Sequence, residues 1–181
     1  MLQHRGQDAA GMVVCEPSGK LNSRKSKGYV RDVFQQNHMN NLQGNLGIGH
    51  VRYPTAGGIG KEFAQPMYVN TPYGISLAHN GNLTNSKKLA AELFHAERRH
   101  INTDSDSEVL LNIFALELSK QEAVFPKPKD FFTAVEKTHL RINGAYAVVA
   151  LVTGYGILAF RDPLGILSLI HISEPTRRLI I

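Results

Sequence analysis

The chain has 181 residues, 43% hydrophobic and 19% charged, which suits one globular domain with its own core rather than a disordered segment. A single cysteine excludes an internal disulfide, no Cys/His spacing suits zinc, and the apolar runs are too short for a membrane-spanning helix. The net charge of +5 is scattered, with short clusters at Arg98-Arg99 and Arg177-Arg178, so the expectation is a soluble cytoplasmic protein without nucleic acid or membrane as partner.

In chain order, Leu2-Gln3-His4-Arg5-Gly6-Gln7-Asp8-Ala9-Ala10-Gly11 is a polar, glycine-punctuated loop that runs straight into the apolar strand Met12–Cys15. A domain seldom opens with such a loop already in progress, so the start reads as truncated. Cys15 closes the strand before the turn Glu16-Pro17-Ser18-Gly19, with no histidine or basic neighbour in sequence to make it a thiolate. Its expected role is that of a small buried hydrophobe. A second strand is expected around Ser26 to Val30, and a short helix from Asp32 to Leu42.

Leu46-Gly47-Ile48-Gly49-His50-Val51-Arg52-Tyr53 alternates small or apolar with polar residues, the pattern of a strand that delivers His50, Arg52 or both to one end. Pro54 to Gly60 then supplies a glycine-rich loop. An arginine at the end of a strand before such a loop suits a carboxylate or phosphate held bidentately. A phosphate-binding P-loop is excluded, because Lys61-Glu62-Phe63 follows where Lys-Ser/Thr and a helix are required.

Two short strands, Gln65–Val69 and Tyr73–Ala78, come next, and the second leads into Asn80-Gly81. Asn-Gly is the dipeptide that most readily closes a tight hairpin, and a turn here would end the strand. The same turn would leave backbone N–H groups and a carboxamide pointing outward, one way to build an oxyanion hole. A helix is expected from about Lys87 to Arg98, capped by Thr84-Asn85-Ser86. Asn102-Thr103-Asp104-Ser105-Asp106-Ser107-Glu108 then precedes the apolar helix Val109–Leu116. Those residues are either plain helix caps or a carboxylate aimed at a ligand amine. A further helix over Phe131–Leu140 and a strand pair, Ala145–Leu151 with Ile157–Phe160, complete the pattern.

Seven blocks in order, LQHRGQDAAG (2–11), GIGHVRYPTAG (47–57), AQPMYVN (64–70), AHNGNLTN (78–85), INTDSDSEVLLNIFA (101–115), GAYAVVAL (144–151) and AFRDPLGI (159–166), resemble the glutaminase domain of the amidophosphoribosyltransferases. The resemblance implies an α+β fold, a four-layer αββα sandwich of the N-terminal-nucleophile hydrolase type, occupying residues 1–166 and truncated at both ends. It also implies a class II amidotransferase: an N-terminal cysteine attacks the side-chain amide of glutamine, ammonia leaves, and water releases glutamate from the thioester. Ammonia then displaces pyrophosphate from phosphoribosyl pyrophosphate in a second domain, the first step of purine synthesis. On this reading Asn80 (carboxamide) and Gly81 (backbone N–H) form the oxyanion hole. Arg52 pairs with the α-carboxylate of glutamine and Asp106 holds its α-ammonium, while Tyr53 and Thr55 lie on a loop that closes over the substrate and Arg5 lies near the nucleophile. No cofactor is implied for these residues; Mg²⁺ belongs to the phosphoribosyltransferase domain, and the full-length enzyme is implied to be a homo-oligomer.

The sequence departs from that pattern at both ends. The Cys-led strand expected some twenty positions before LQHRGQ is not present, and Cys15 matches no catalytic position, so the 181 residues by themselves are expected to be inactive. Residues 167–181 read as foreign to the fold, like translated adapter sequence, and carry no expected structure or function. Two further readings stand beside the first: another class II amidotransferase of the glucosamine-6-phosphate synthase type, and a non-catalytic glutamine-binding module.

Overall fold

The computed structural model describes residues 2–53, 60–121, 123 and 125–168. Among these, the strands form two antiparallel sheets. The first has the order β2-β1-β3, from β1 (Ala9–Cys15), β2 (Leu21–Lys27) and β3 (Leu46–Arg52). The second has the order β4-β5-β6-β7, from β4 (Met67–Val69), β5 (Ile75–Leu83), β6 (Gly144–Val152) and β7 (Gly156–Arg161).

The central strands β1, β5 and β6 are apolar because they are covered on two faces. Between the sheets, Cys15, Ile48, Ala78 and Leu151 form a small core, with Leu21 and Val149 packed against it. The larger core lies on the far side of the second sheet, where Ile75, Leu77, Tyr146 and Val148 meet Leu110, Leu111, Ile113 and Phe114 of helix α4 (Asp106–Ser119). Helix α4 is buried from Val109 to Leu118 because it packs against the sheet and against both α3 (Ser86–His95) and α5 (Pro128–Arg141). Burial of each large apolar side chain here is worth about 1.5–3 kcal/mol. The outer layer on the first sheet is thin, two single helical turns, α1 (Val30–Val33) and α2 (Gln36–Met39), with Val33 buried against β1 and β2. Helix, sheet, sheet and helix thus stack in the expected α+β sandwich.

Three local expectations change. The second strand runs from Leu21 to Lys27 rather than from Ser26 to Val30. Its sequence, LNSRKSK, looks like a loop because β2 is a half-exposed edge of its sheet, where lysines are the usual protection against unwanted pairing. The expected helix over 32–42 is broken into α1 and α2, since Gln35 is extended at φ −89°, ψ 166° and starts the second turn afresh. Asn80-Gly81 does not close a hairpin. Strand β5 continues through it, with Asn80 opposite Ala147 and Gly81 opposite Tyr146 on β6. Gly81 takes φ +136°, and a Cβ there would lie 2.1 Å from the Ala145 carbonyl oxygen. The glycine answers a close backbone approach inside a strand, which composition alone does not distinguish from a turn.

Candidate active site

Strand alternation sets which side chains can meet. Along β3, Ile48, His50 and Arg52 share the face turned toward the second sheet, and along β5 the even positions Ser76, Ala78 and Asn80 share the facing side. Ile48 and Ala78 fill the inter-sheet core, so the next positions along, His50, Arg52 and Asn80, emerge at its end. The N-terminus of α4 arrives there too. Ser105 caps that helix by accepting the Ser107 N–H at 3.3 Å, and Asp106 opens its first turn.

The result is a pocket of about 70 Å³ lined by His50, Arg52, Tyr53, Phe63, Gln65, His79, Asn80, Gly81, Ser105, Asp106 and Ser107. Arg52, Tyr53, Asn80, Gly81 and Asp106, expected from sequence at one site, are brought together. Arg5 is not: it is exposed on a short 3₁₀ turn (Leu2–Arg5) beside β3 and does not line the pocket. Thr55 lies outside the described residues. Among the described residues four clefts are larger, the two largest being one of about 460 Å³ between β2 and the β4–β5 edge and one of about 480 Å³ between α3 and the start of α4. Size alone favours these, but the first has Lys25 as its single charged lining residue and the second reaches Asp106 from its other side. The convergent polar groups that mark a ligand site are in the smaller pocket.

Arg52 is buried and its Nη1 donates to Asp8 Oδ2 at 2.6 Å, while its guanidinium carbon sits 5.3 Å from the centre of the Phe63 ring. Asp8 thus fixes a cation at one wall. Across the pocket, Asp106 Oδ2 accepts the Leu83 N–H at 3.0 Å, and its other oxygen lies 3.8 Å from His79 Nδ1. A buried cation and a carboxylate lining the same pocket suit a zwitterion. Asn80 and Gly81 are exposed between them.

The buried polar residues around this pair were the part that sequence reasoning missed. Asp8, Gln65, His79 and Ser107 all stand in quoted blocks, but none was assigned a role. The available signal was a polar residue in an apolar run, His79 after Ile75–Ala78 and Gln65 between Phe63 and Met67, since such groups are buried only with partners. Cys15 packs with Ile48 and Ala78 and lies four to six residues along β1 from the positions opposite His50 and Arg52, roughly 13–20 Å away.

Burial holds His50 neutral, with its pKa pushed down to about 4; the neighbouring His79 and Arg52 act in the same direction, and the nearby Asn80 side chain and His79 main chain oppose it. Neither ring nitrogen of His50 has a partner in hydrogen-bond geometry. Burial also lowers the pKa of His79, against the pull of Asp106. Because the folded His50 lies below its ordinary value of 6.5, the unfolded chain binds more protons between pH 6.5 and 4. Stability is therefore full above pH 6.5, falls as the pH drops to 4, and the loss through His50 is about 3 kcal/mol. Urea denaturation across that range should show a shallower decline in His50→Gln; an unchanged slope would assign the pH dependence elsewhere.

At one end of the two-sheet sandwich there is thus a charged pocket with an exposed carboxamide. A family model described as a glutamine amidotransferase domain matches residues 59–181, and the chain belongs to that family. It is 60% identical over 163 residues to an amidophosphoribosyltransferase of Pseudomonas aeruginosa, covering 90% of this chain and 32% of that protein. With the amidophosphoribosyltransferase of Escherichia coli it shares 55% over 170 residues, 94% of this chain and 34% of the relative. Among solved structures, a glutamine phosphoribosylpyrophosphate amidotransferase from B. subtilis complexed with ADP and GMP aligns at TM-score 0.71 and 31% identity, over 90% of this chain and 32% of that one. A structure described as the allosteric regulatory enzyme of purine biosynthesis aligns at TM-score 0.74 and 34% identity, over 91% and 33%. The chain spans about a third of the length of the curated relatives it matches.

Proposed function

We propose that this chain is the glutamine-hydrolysing part of an amidophosphoribosyltransferase, converting glutamine to glutamate and releasing ammonia for transfer to phosphoribosyl pyrophosphate. The observation that carries the reading is the meeting of Arg52, Asp106, Asn80 and Gly81, from three separate stretches of sequence, around one pocket. The Arg52 guanidinium faces the α-carboxylate of glutamine and the Asp106 carboxylate faces its α-ammonium. These two contacts orient the side-chain amide toward β5. There the Asn80 carboxamide and the Gly81 N–H take the charge that develops on the amide oxygen when a thiolate adds to its carbon. Tyr53, 66% exposed at the rim, covers the bound substrate, the role that the resemblance also gives Thr55, and Arg5 stands outside this contact set.

The thiolate is the cysteine that leads such domains, not Cys15, which is buried away from the pocket mouth. Phosphoribosyl transfer, its Mg²⁺ and the contacts of a homo-oligomer are assigned to the remainder of the full-length enzyme, in the cytoplasm. Among the described residues, no helix is long and apolar enough to cross a membrane.

The test is ammonia release from glutamine by this chain and by a form extended with the Cys-led strand. Release by the extended form alone supports the reading, and Cys15→Ala in that form should leave the rate unchanged. Release by the unextended chain, abolished by Cys15→Ala, would overturn the assigned nucleophile. A folded but silent extended form that still binds glutamine would favour a binding module, a reading that the preformed charge pair of the pocket also supports.

A further inference from the structure

We infer that Gln65 is a positioning residue that sets the distance between the oxyanion-binding pair and the ammonium-binding carboxylate, and thereby selects glutamine over the shorter asparagine. The inference rests on the glutaminase reading of the pocket.

The Gln65 side chain is buried, and both ends of its carboxamide are used. Oε1 accepts the His79 N–H at 2.6 Å, and Nε2 donates to Ser107 Oγ at 3.0 Å. The Ser107 hydroxyl also meets His79 Nδ1 at 2.9 Å, so one amide, one hydroxyl and one imidazole close a ring of hydrogen bonds. With His79 held neutral, Ser107 accepts from Gln65 and can donate its single proton to Nδ1.

The ring joins two places of consequence. His79 immediately precedes Asn80-Gly81 on β5, and Ser107 immediately follows Asp106 on α4. On the other side of the pair, Asp106 Oδ2 accepts the Leu83 N–H at 3.0 Å. Strand β5 is therefore held to the first turn of α4 at two points that bracket Asn80-Gly81. Gln65, Ser107 and His79 supply one, and Asp106 the other. Without Gln65 the first tie rests on the Ser107–His79 Nδ1 contact alone, so this stretch of β5 can shift relative to α4 and the spacing between Asn80-Gly81 and Asp106 is held less firmly. Gln65 borders the pocket, but both ends of its carboxamide are engaged by His79 and Ser107, so it acts through them rather than on the substrate.

A residue that merely supports the fold would lower the activity toward both amides together. A spacing residue changes their ratio. The experiment measures kcat/KM for ammonia release from glutamine and from asparagine in the Cys-led form, with Gln65→Met, Ser107→Ala and Gln65→Glu, each checked for folding by circular dichroism. Gln65→Met should lose roughly 10- to 100-fold on glutamine, in line with a misplacement of the order of an ångström, and less on asparagine, so the glutamine preference drops at least about tenfold. Ser107→Ala, which keeps the Gln65–His79 bond but cuts the link to α4, should lower the ratio in the same direction. If Gln65→Met fails to fold, that variant decides. Gln65→Glu keeps the acceptor for the His79 N–H and should recover part of the preference. Equal losses on both amides, or an unchanged ratio in folded variants, would overturn the inference. An unsubstituted form that releases no ammonia overturns the glutaminase reading and this inference with it.

Discussion

Replacing Asn80 with alanine in the Cys-led form is expected to lower kcat for ammonia release by about 10²–10³-fold while leaving KM for glutamine nearly unchanged. The magnitude is that of losing one preorganised oxyanion donor. The split between constants follows from where Asn80 stands, exposed on β5 between the two charged walls and paired through its main chain opposite Ala147. Its carboxamide meets charge that exists only after the thiolate has added, so it contributes to the transition state and little to ground-state binding. Arg52→Lys should do the reverse and act mainly on KM, because an ammonium cannot reproduce the fork of the guanidinium. An Asn80→Ala variant whose loss appears wholly in KM would place the side chain on the substrate rather than on the oxyanion.

The second large effect is on stability. Asp8→Ala should cost about 3 kcal/mol or more in urea denaturation, because it removes the carboxylate from a guanidinium that stays buried. The side chains of Arg52 and Asp8 are 8% and 12% exposed, with 2.6 Å between Nη1 and Oδ2, so this is not a surface ion pair. Asp8→Asn, which preserves the shape and one acceptor oxygen, should lose less. A loss below about 1 kcal/mol for Asp8→Ala would be the behaviour of a solvated pair and would mean that water reaches the Arg52 head group. Glutamine binding is expected to weaken in the same variant, since Asp8 orients the cation that receives the α-carboxylate.

The fold was legible in the sequence wherever burial and periodicity agree. Strands β3, β6 and β7 and helices α4 and α5 fall where alternation or apolar runs place them, within a few residues. The failures share one cause, which is that local composition reports exposure before it reports backbone shape. β2 is written in lysine and serine because it is an edge, and Asn80-Gly81 is written like a hairpin because glycine serves a close strand approach as well as a turn. At the site, the residues expected to touch glutamine were readable as family blocks, and the pocket gathers Arg52, Tyr53, Asn80, Gly81 and Asp106. The partners behind them were not. Asp8 lies 44 positions from Arg52 and Gln65 lies 42 from Ser107, so those bonds exist only once β1 has paired with β3 and α4 has packed under β5. A single sequence carries no periodic signal for contacts at such separations.

The most direct test of the glutamine pocket is a ¹H–¹⁵N spectrum of this chain titrated with L-glutamine. The largest shifts are expected at the Gly81 backbone amide, the Asn80 side-chain NH₂ and the Arg52 guanidinium, saturating together, with residues of the Lys25 cleft unmoved. Saturable shifts centred on Lys25, Ser76 and Thr153 with Gly81 and Asn80 silent would contradict this expectation and move the ligand site to the space between β2 and the β4–β5 edge.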